Sequence, residues 1–447
     1  MGELFGTDGI RGVANRELTA ELVFKISRIT AHHLTLGNEQ PFMLIGKDTR
    51  ISGDMLEGSI IAGLTSLGVN VYCVGVISTP GVAFLIKKLK AQGGVMISAS
   101  HNPLEDNGIK FFNAQGFKLT DEQEEKIEEL YFSNTDELPR PIGVKVGRVY
   151  PLKDSVRNYI DYLKEAAKVD LSGYKMVLDC ANGAAYNTAP LLFRELGAEV
   201  IVINDCTDGK TINVNCGSTH PEVVAEAVQE HGAQVGFSFD GDGDRLIAVD
   251  EKGSVVDGDY IMAICGKHLK DQGELKNDTI VTTVMSNLGL DMASEKVGLH
   301  LIKTKVGDRY VLETMLKDDY NFGGEQSGHI IFLDFNTTGD GILTALKLAQ
   351  VMVDENKPLS QLTQIMTKLP QVLKNARVKK IGYTPDNQRF NEAVLAAEKR
   401  LGNTGRVLVR PSGTEPLVRV MMEGQNEQEL HIIAEEIVKI LEEDLSH

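Results

Sequence analysis

The chain has 447 residues, of which 42% are hydrophobic and 24% charged, and its formal net charge at pH 7 is -17. A chain of this length is expected to form roughly two to four domains, and its composition excludes a largely disordered protein. The acidic balance argues against a general nucleic-acid-binding protein, because a phosphate backbone needs a basic surface. A small anionic ligand remains compatible with it, since such a ligand needs only a local basic pocket.

Three features bear on the cellular compartment. The N-terminus has no basic segment followed by an apolar stretch, so no signal peptide is expected. Residues 58–86 carry no charge, but several glycines, Asn70 and Pro80 divide them into pieces of strand and helix length, which predicts core rather than a membrane span. The five cysteines are odd in number and lack CxxC spacing, which favours reduced thiols in a cytoplasmic protein.

Three segments of the chain share one order of predicted elements. Each has a strand that ends in a polar loop, a helix that ends at Leu-Gly or Val-Gly, a second strand, and later a third strand that ends in another polar loop. The first segment contains the strand 43–46, the loop Lys47-Asp-Thr-Arg50, a helix to Leu67-Gly68, the strand 69–76, and the strand 94–98 followed by Ala99-Ser-His-Asn-Pro103.

The second and third segments repeat this order. The second contains the strand 176–179, the loop Cys180-Ala-Asn-Gly183, a helix to Leu196-Gly197, the strand 199–203, and the strand 234–239 followed by Asp240-Gly-Asp-Gly-Asp-Arg245. The third contains the strand 280–285, a helix to Val297-Gly298, the strand 300–304 and the final loop Gly324-Glu-Gln-Ser-Gly-His329. Strands that alternate with helices predict mainly parallel mixed sheets, whose ligands bind at the carboxyl ends of the strands. A chance likeness is the alternative, and the repeated Leu-Gly or Val-Gly ending favours true repetition.

The last part of the chain has a different pattern. From about residue 370 it predicts a strand, a helix at about 386–400, strands at 406–410 and 417–422, and a long helix to about 443. We therefore predict three similar α/β domains at 1–150, 151–255 and 256–368, and a C-terminal α+β domain at 369–447, arranged around a central cleft.

Asp240, Asp242 and Asp244 alternate with glycine at the end of a predicted strand. In extended backbone they lie on one side of the chain, where three carboxylates repel one another unless a cation binds them. Oxygen ligands of this kind suit Mg²⁺. An EF-hand loop also begins this way, but Arg245 stands where that loop needs glycine, and the following residues predict a strand. A solvated acidic turn is the other alternative.

Ser100 follows another predicted strand, in Ser98-Ala-Ser-His-Asn-Pro103. Its hydroxyl would be presented at the edge of a sheet, although a simple turn would have the same residues. A serine nucleophile needs activation by a neighbouring group. His101 and Lys110 are the candidates, and each has a structural alternative as a loop residue or a solvated charge.

Several cationic residues are candidates for binding phosphate. Arg410-Pro-Ser-Gly-Thr-Glu-Pro416 together with Arg419 combines hydroxyls, a glycine and two guanidinium groups, although a β-turn flanked by surface arginines is the alternative. The glycine-rich loop 6–12 presents Arg11 but does not match a P-loop. Lys305 and Arg309, at the end of a strand in the third segment, add further cations for a substrate.

Five of these motifs, in this order, resemble the α-D-phosphohexomutase family over essentially the whole chain. They are GTDGIRG, SASHNP, DGDGDR, GEQSGH and RPSGTEP. Gln326 and Gly307-Asp308 depart from relatives that act on glucose or mannose phosphates, which usually carry Met and Gly-His there, and favour the branch that acts on glucosamine phosphates. The resemblance implies interconversion of glucosamine 6-phosphate and glucosamine 1-phosphate, for synthesis of UDP-N-acetylglucosamine and the cell wall.

The resemblance also implies roles for particular residues. Ser100 would be phosphorylated and would bind one Mg²⁺ per subunit together with Asp240, Asp242 and Asp244. The sugar would be recognised by Glu325, Ser327 and His329, and the phosphate that does not react would be bound by Arg410, Ser412, Gly413, Thr414 and Arg419. Arg11, Lys110 and Arg245 would stabilise charge during transfer, with Lys110 and His101 as candidates for the general base. A sugar 1,6-bisphosphate would be the intermediate or activator.

Three other functions remain as alternatives. One is a phosphoglucomutase or phosphomannomutase of the same family, another a metal-dependent phosphatase, and the third a sugar-phosphate sensor without catalysis. We expect a phosphorylated amino sugar as partner and neither nucleic acid nor membrane. The sequence leaves the oligomeric state open, with a homodimer as one option.

Overall fold

The structure is a computed structural model that describes residues 3–6, 8–133, 137–379, 383, 387–411 and 416–444. The chain divides into two units, of which the first is Met1–Met285 with Leu299–Gln364 and the second is Ser286–Gly298 with Ile365–His447. The first unit contains three mixed sheets, and the second contains one antiparallel sheet. The predicted fold class, with three α/β parts and a C-terminal α+β part, is confirmed.

The first sheet has six strands. They are β1 (Ile10–Val13), β2 (Phe42–Lys47), β3 (Asn70–Val76), β4 (Gly93–Ile97), β5 (Asp106–Asn113) and β6 (Val149–Pro151). Their order is β1-β5-β4-β2-β3-β6, and β5 is antiparallel to both of its neighbours, β1 and β4, while the other neighbouring pairs are parallel. The helices of this part are α1 (Ala20–Thr35), α2 (Gly53–Ser66), α3 (Thr79–Leu89) and α4 (Asp121–Phe132). Strand β4 is buried along its whole length, as expected of a strand covered on both faces.

The second sheet has five strands. They are β7 (Lys175–Asp179), β8 (Glu199–Ile203), β9 (Val235–Phe239), β10 (Leu246–Asp250) and β11 (Val255–Val256). Their order is β11-β10-β9-β7-β8, and β10 is antiparallel to both of its neighbours, β9 and β11, while β9, β7 and β8 are parallel. The helices are α5 (Ser155–Ala167), α6 (Ala189–Glu195) and α7 (Pro221–His231).

The third sheet has four strands. They are β12 (Thr279–Thr283), β13 (His300–Thr304), β14 (Phe322–Gly324) and β15 (Ile330–Phe332). Their order is β13-β12-β14-β15, and only β15 is antiparallel to its neighbour. The helices in this stretch of chain are α8 (Gly258–Asp271), α9 (Leu288–Val297), α10 (Asp308–Lys317), α11 (Gly341–Glu355) and α12 (Leu359–Leu362).

The three sheets contain the same four-strand arrangement. It runs β3-β2-β4-β5 in the first, β8-β7-β9-β10 in the second and β13-β12-β14-β15 in the third. In each case the last parallel strand turns back into an antiparallel strand, and the turn is the loop with Ser100, the aspartate loop or the loop with Glu325. The repetition predicted from the sequence is therefore confirmed, and the three loops occupy equivalent positions.

The second unit contains a three-stranded antiparallel sheet, in the order β16-β18-β17. Its strands are β16 (Gln371–Arg377), β17 (Arg406–Pro411) and β18 (Leu417–Glu423), and its helices include α13 (Gln388–Leu401) and α14 (Glu427–Asp444). Helix α9 belongs to this unit as well. The side chain of Asn287, at the N-terminus of α9, donates to the carbonyl of Leu369 at 3.0 Å, and the backbone N–H of Leu288 donates to Glu423 at 2.9 Å.

Many predicted elements agree with the observed ones. Strands β8 and β13 have the predicted bounds 199–203 and 300–304, and the helix predicted at about 386–400 is α13. The uncharged residues 58–86 form parts of α2, β3 and α3, so the prediction of core there is confirmed. Within the described residues, none of the helices has both the length and the apolar character needed to cross a membrane.

Candidate active site

Ser100 lies in the turn between β4 and β5, and only 1% of its surface is exposed. Its φ is +53°, a left-handed conformation that is uncommon for residues other than glycine. Its backbone N–H donates to Ser98 Oγ at 2.9 Å. Strained backbone of this kind persists only where the surrounding structure holds it, and it is concentrated at functional sites.

Two side chains hold the Ser100 loop from outside it. The guanidinium of Arg50, which pairs with Asp48 at 3.0 Å, donates to the carbonyls of Ser100 (3.1 Å) and Asn102 (2.8 Å). Asn213, from the second part of the chain, donates to the same two carbonyls at 2.8 and 3.2 Å. These four bonds fix the backbone on both sides of His101.

The three aspartates between β9 and β10 are buried, and they offer carboxylate oxygens within 4.8 Å of one another. Among the described residues, neither Oδ1 of Asp242 nor Oδ1 of Asp244 has a hydrogen-bond partner, although both atoms are buried. Burial raises the pKa of Asp240 well above its ordinary value, and the charges of Asp244 and Asp242 raise it further. Buried carboxylates with unpaired oxygens are unfavourable without a cation, so these residues fit a hard divalent metal ion.

The serine loop and the aspartate loop touch directly. Ser100 Oγ donates a hydrogen bond to Asp240 Oδ2 at 2.5 Å. The approach depends on Gly241, where an added Cβ would lie 2.5 Å from the carbonyl oxygen of Ser100. A second hydroxyl from the first part of the chain, that of Thr79, donates to Asp242 Oδ2 at 2.5 Å. The candidate nucleophile therefore lies against the candidate metal ligands.

Lys110 and His101 differ in charge. Lys110 Nζ is buried 2.8 Å from Asp242, 3.0 Å from Asp8 and 3.4 Å from Asp244. Burial alone would lower the pKa of Lys110, but the carboxylates of Asp242 and Asp8 raise it well above its ordinary value. For His101, burial and the charges of Arg245 and Arg11 lower the pKa to about 4. At neutral pH Lys110 is therefore a cation, and His101 is a neutral ring with Nδ1 3.3 Å from Ser100 Oγ.

A chain of ion pairs connects the N-terminal loop with α10. Asp8 pairs with Arg11, Lys110 and Lys118. Lys118 also donates to Asp308 Oδ2 at 2.6 Å. Although burial raises the pKa of Asp8, the cations Lys110 and Lys118 hold it well below its ordinary value. Lys118 therefore links two carboxylates from different parts of the first unit.

The loop between β14 and β15 supplies Glu325, Ser327 and His329. Glu325 Oε1 accepts a hydrogen bond from the backbone N–H of Gly307 at 3.2 Å. The N–H of Gly339 donates to His329 Nε2 at 3.1 Å. Burial lowers the pKa of this imidazole, but the carboxylates of Asp244 and Asp308 raise it above its ordinary value. The other ring nitrogen is Nδ1. That nitrogen is 3.6 Å from Asp244 Oδ2. The loop between β14 and β15 therefore brings His329 close to the loop that contains the three aspartates.

These three loops line one cavity of about 540 Å³, a volume within the usual range for small-molecule sites. The predicted site residues in its lining are Arg11, His101, Asp244, Arg245, Glu325, Ser327 and His329. Lys305 and Arg309 are not part of this lining. Lys305 is exposed, with Nζ 5.9 Å from the centre of the Tyr310 ring, and Arg309 pairs with Asp121 and Glu124.

Arg410 and Arg419 lie directly opposite each other in the antiparallel pair β17–β18 of the second unit. Burial lowers the pKa of Arg410, and the positive charge of Arg419 lowers it further. Like charges directly opposite each other in a cross-strand pair are destabilising. The remaining residues of the predicted phosphate loop, Ser412, Gly413 and Thr414, lie outside the described residues.

Four segments of the chain match known domains of one enzyme family. Residues 2–138, 157–253 and 257–369 match the alpha/beta/alpha domains I, II and III of phosphoglucomutase/phosphomannomutase, and residues 348–440 match its C-terminal domain. The phosphoglucosamine mutase of Clostridium novyi (strain NT) is 55% identical over 451 residues, covering 99% of each chain. The chain belongs to the phosphoglucosamine mutase family. It is therefore an enzyme, an isomerase, and the resemblance seen in its motifs is confirmed.

Other comparisons agree with this membership. The phosphoglucosamine mutase of Geobacillus thermodenitrificans (strain NG80-2) is 55% identical over 445 residues, which are 100% of this chain and 99% of the relative. A phosphoglucomutase/phosphomannomutase family protein from Burkholderia thailandensis has the same fold, with a TM-score of 0.80, 23% identity and coverage of 96% and 95%. So does the N-acetylphosphoglucosamine mutase of Aspergillus fumigatus, solved with GlcNAc-6P and magnesium, with a TM-score of 0.71, 18% identity and coverage of 99% and 96%.

Several residues that organise the site are not predicted from the sequence. Asp8 and Arg50 lie in polar loops that the sequence pattern identifies, the loop 6–12 and the loop 47–50. Most of the residues that they contact lie far along the chain and cannot be predicted from that pattern. Asp308 was noticed only as a departure from relatives. Neither Lys118 nor Asn213 stands in a recognised motif, and each acts on residues about a hundred or more positions away.

Proposed function

We propose that the protein interconverts glucosamine 6-phosphate and glucosamine 1-phosphate, with Ser100 carrying the phosphoryl group. The observation that supports this most is the 2.5 Å hydrogen bond from Ser100 Oγ to Asp240 Oδ2. It sets a hydroxyl in a strained, buried loop against carboxylates that fit a cation. A phosphate on that hydroxyl would have its oxygens beside the same cation. The choice of sugar is supported by the Clostridium novyi and Geobacillus thermodenitrificans relatives, which are phosphoglucosamine mutases.

Asp240, Asp242 and Asp244 would hold Mg²⁺, together with a phosphate oxygen on Ser100. Their hard oxygen ligands suit this ion, which commonly binds a substrate phosphate as well. The Aspergillus fumigatus enzyme was solved with magnesium. When bound, the ion supplies positive charge that stabilises the transferring phosphoryl group.

In the first step the C1 hydroxyl of glucosamine 6-phosphate attacks the phosphorus of phospho-Ser100. The P–O bond to the serine breaks as the new P–O bond to the sugar forms. The serine oxygen takes up a proton, and a base accepts the proton of the sugar hydroxyl. The product is the 1,6-bisphosphate. After this intermediate turns over in the cavity, its 6-phosphate returns to Ser100 by the same chemistry, and glucosamine 1-phosphate is released.

Two residues are candidates for handling these protons. The neutral ring of His101 has Nδ1 3.3 Å from Ser100 Oγ, which places it within reach of the hydroxyl proton. The ammonium of Lys110 lies among the carboxylates and would stabilise charge during the transfer. Arg11 and Arg245, both in the lining of the cavity, would offset the negative charge of the transferring group.

The phosphate that does not react would be bound by the opposed guanidinium groups of Arg410 and Arg419, with Ser412, Gly413 and Thr414 completing the cradle. Shared binding of one anion explains why two arginines stand opposite each other. Glu325, Ser327 and His329 would contact the sugar. Because the bisphosphate carries a phosphate at each end, one cradle would serve both halves of the reaction.

The same fold also serves sugars without an amino group, so a phosphoglucomutase or phosphomannomutase activity is the alternative. A putative phosphomannomutase from Thermus thermophilus shares the fold, with a TM-score of 0.77 and 25% identity. We further propose a cytoplasmic role in supplying UDP-N-acetylglucosamine for the cell wall. All five cysteines are free, which suits a reducing compartment.

A coupled assay tests the proposal. Purified protein is given glucosamine 6-phosphate, glucose 6-phosphate or mannose 6-phosphate with Mg²⁺ and a trace of bisphosphate, and the 1-phosphate is measured. We expect the highest kcat/KM for glucosamine 6-phosphate, and intact mass should show one added phosphate. Net phosphate release would indicate a phosphatase, and a higher kcat/KM for glucose or mannose 6-phosphate would support the alternative.

A further inference from the structure

Asp308 is the first residue of α10, and its side chain lies in the wall of the 540 Å³ cavity beside Gly307, Glu325 and His329. The side chain is 16% exposed. Oδ2 accepts the hydrogen bond from Lys118 at 2.6 Å and lies 3.5 Å from His329 Nε2. No group among the described residues donates a hydrogen bond to Oδ1. One carboxylate oxygen therefore remains for a ligand.

Two carboxylates, those of Asp308 and Glu325, lie beside His329 in this part of the cavity. Burial raises the pKa of Glu325, while the charge of His329 lowers it and that of Asp308 raises it. The single ammonium group of Lys118 pairs with both Asp308 and Asp8, so its positive charge is shared between two carboxylates. A carboxylate oxygen without a hydrogen-bond donor attracts a positively charged group on a ligand more strongly than a neutral hydroxyl or acetamide.

Amino-sugar phosphates carry such a charge, since the amine at C2 is an ammonium group at neutral pH. We propose that Asp308, through Oδ1, binds the C2 ammonium and thereby selects the amino sugar over sugars with a hydroxyl or an acetamide at C2. The assignment rests on the function proposed above and adds the residue that determines its substrate. Lys118 acts as a positioning residue, because it holds Oδ2 and leaves Oδ1 toward the cavity.

Glu325 is the less suitable partner for the ammonium. Burial raises the pKa of Glu325, whereas the charges of Lys118 and His329 lower the pKa of Asp308 although burial raises it. Asp308 also stands at the N-terminus of a helix, where a carboxylate is stabilised in its charged form. The two acidic residues would therefore contact different groups of the sugar: Asp308 would bind the ammonium group, and Glu325 would bind hydroxyl groups.

The test compares three substrates in wild-type protein and in Asp308→Asn. The substrates are glucosamine 6-phosphate, glucose 6-phosphate and N-acetylglucosamine 6-phosphate, and the quantity measured is the ratio of their kcat/KM values. Replacing a charged contact by a neutral one should lower the ratio of glucosamine to glucose 6-phosphate by about 10-fold or more. Asp308→Glu keeps the charge and should recover part of the ratio. Asp308→Ser is a second neutral variant if the amide disturbs folding.

Asp318→Asn, at the exposed C-terminal end of α10, is the matched control and should keep the wild-type ratio. Thermal unfolding and the phosphate on Ser100 are measured for every variant to show an intact protein. An unchanged ratio in both neutral variants, or an equal fall for all three substrates, overturns the assignment of Asp308. If the wild-type protein isomerises none of the three sugars, the proposed function fails first, and the assignment fails with it.

Discussion

The hydroxyl of Ser100 donates a hydrogen bond to the Asp240 carboxylate at 2.5 Å, although the two residues are 140 positions apart in the sequence. Each stands in the turn that follows the last parallel strand of its sheet, so the repeated architecture brings equivalent turns together. A hydroxyl, three carboxylates and a buried lysine thus meet within one site. The predictions below separate the contributions of these groups.

Ser100→Ala should abolish mutase activity, because the transferred group has no other hydroxyl in the turn against Asp240. A loss of about 1,000-fold or more in kcat is expected when a covalent nucleophile is removed. The coupled assay measures this loss, and intact mass should show that the variant lacks the added phosphate. Ser172→Ala, at an exposed turn, is the control and should behave as wild type. Full activity in Ser100→Ala would exclude the phosphoserine shuttle.

Removal of divalent metal should stop the reaction, and Mg²⁺ should restore it. Mg²⁺ should also raise the unfolding temperature, because it relieves the repulsion among three buried carboxylates; binding at a hundredfold excess over Kd adds about 2.7 kcal/mol to the free energy of unfolding. Asp242→Asn should lose most of this thermal response, whereas Asp271→Asn, in a surface ion pair, should keep it. Equal responses in both variants would place the metal elsewhere.

Lys118→Met should destabilise the first unit. The substitution leaves Asp8 and Asp308 without their shared cation, and their side chains are only 17% and 16% exposed. Loss of one partner from a largely buried ion pair costs on the order of 3 kcal/mol in the free energy of unfolding. Urea unfolding measures the change. Lys126→Met, in an exposed pair on α4, should cost no more than about 1 kcal/mol, and equal costs for the two variants would contradict the argument.

Arg410→Met should weaken phosphate binding without weakening the fold. Arg410 and Arg419 are both positively charged and lie opposite each other on neighbouring strands, so they repel. Removing one of these charges should leave the free energy of unfolding unchanged or slightly higher. KM for glucosamine 6-phosphate should rise by about 10-fold or more, since the proposed guanidinium contact with the phosphate would be lost. Arg400→Met, on the surface of α13, is the control for both measurements. A loss of stability with an unchanged KM would show that Arg410 is a structural residue.

Local pattern was enough to predict the elements and the loops of the site. The runs at 199–203 and 300–304 predicted β8 and β13 with their observed bounds, because each begins just after the glycine that ends the preceding helix and is rich in residues that favour strands. The alternating aspartates at 240, 242 and 244 indicated a metal site on charge repulsion alone. Ser100 and Glu325 were found because each follows a strand at a repeated place in the chain.

The tertiary structure decided which groups meet and what charge they carry. Lys110 was a candidate base in the sequence, but in the fold Asp242 and Asp8 surround it and keep it protonated. Lys118 and Asn213 gave no local signal, since their role is to contact residues far along the chain. Helix α9 follows a strand of the third sheet, yet it belongs to the second unit with Glu423. Periodicity and residue type are local properties of a chain, whereas ion pairing and desolvation depend on distances that only the folded chain establishes.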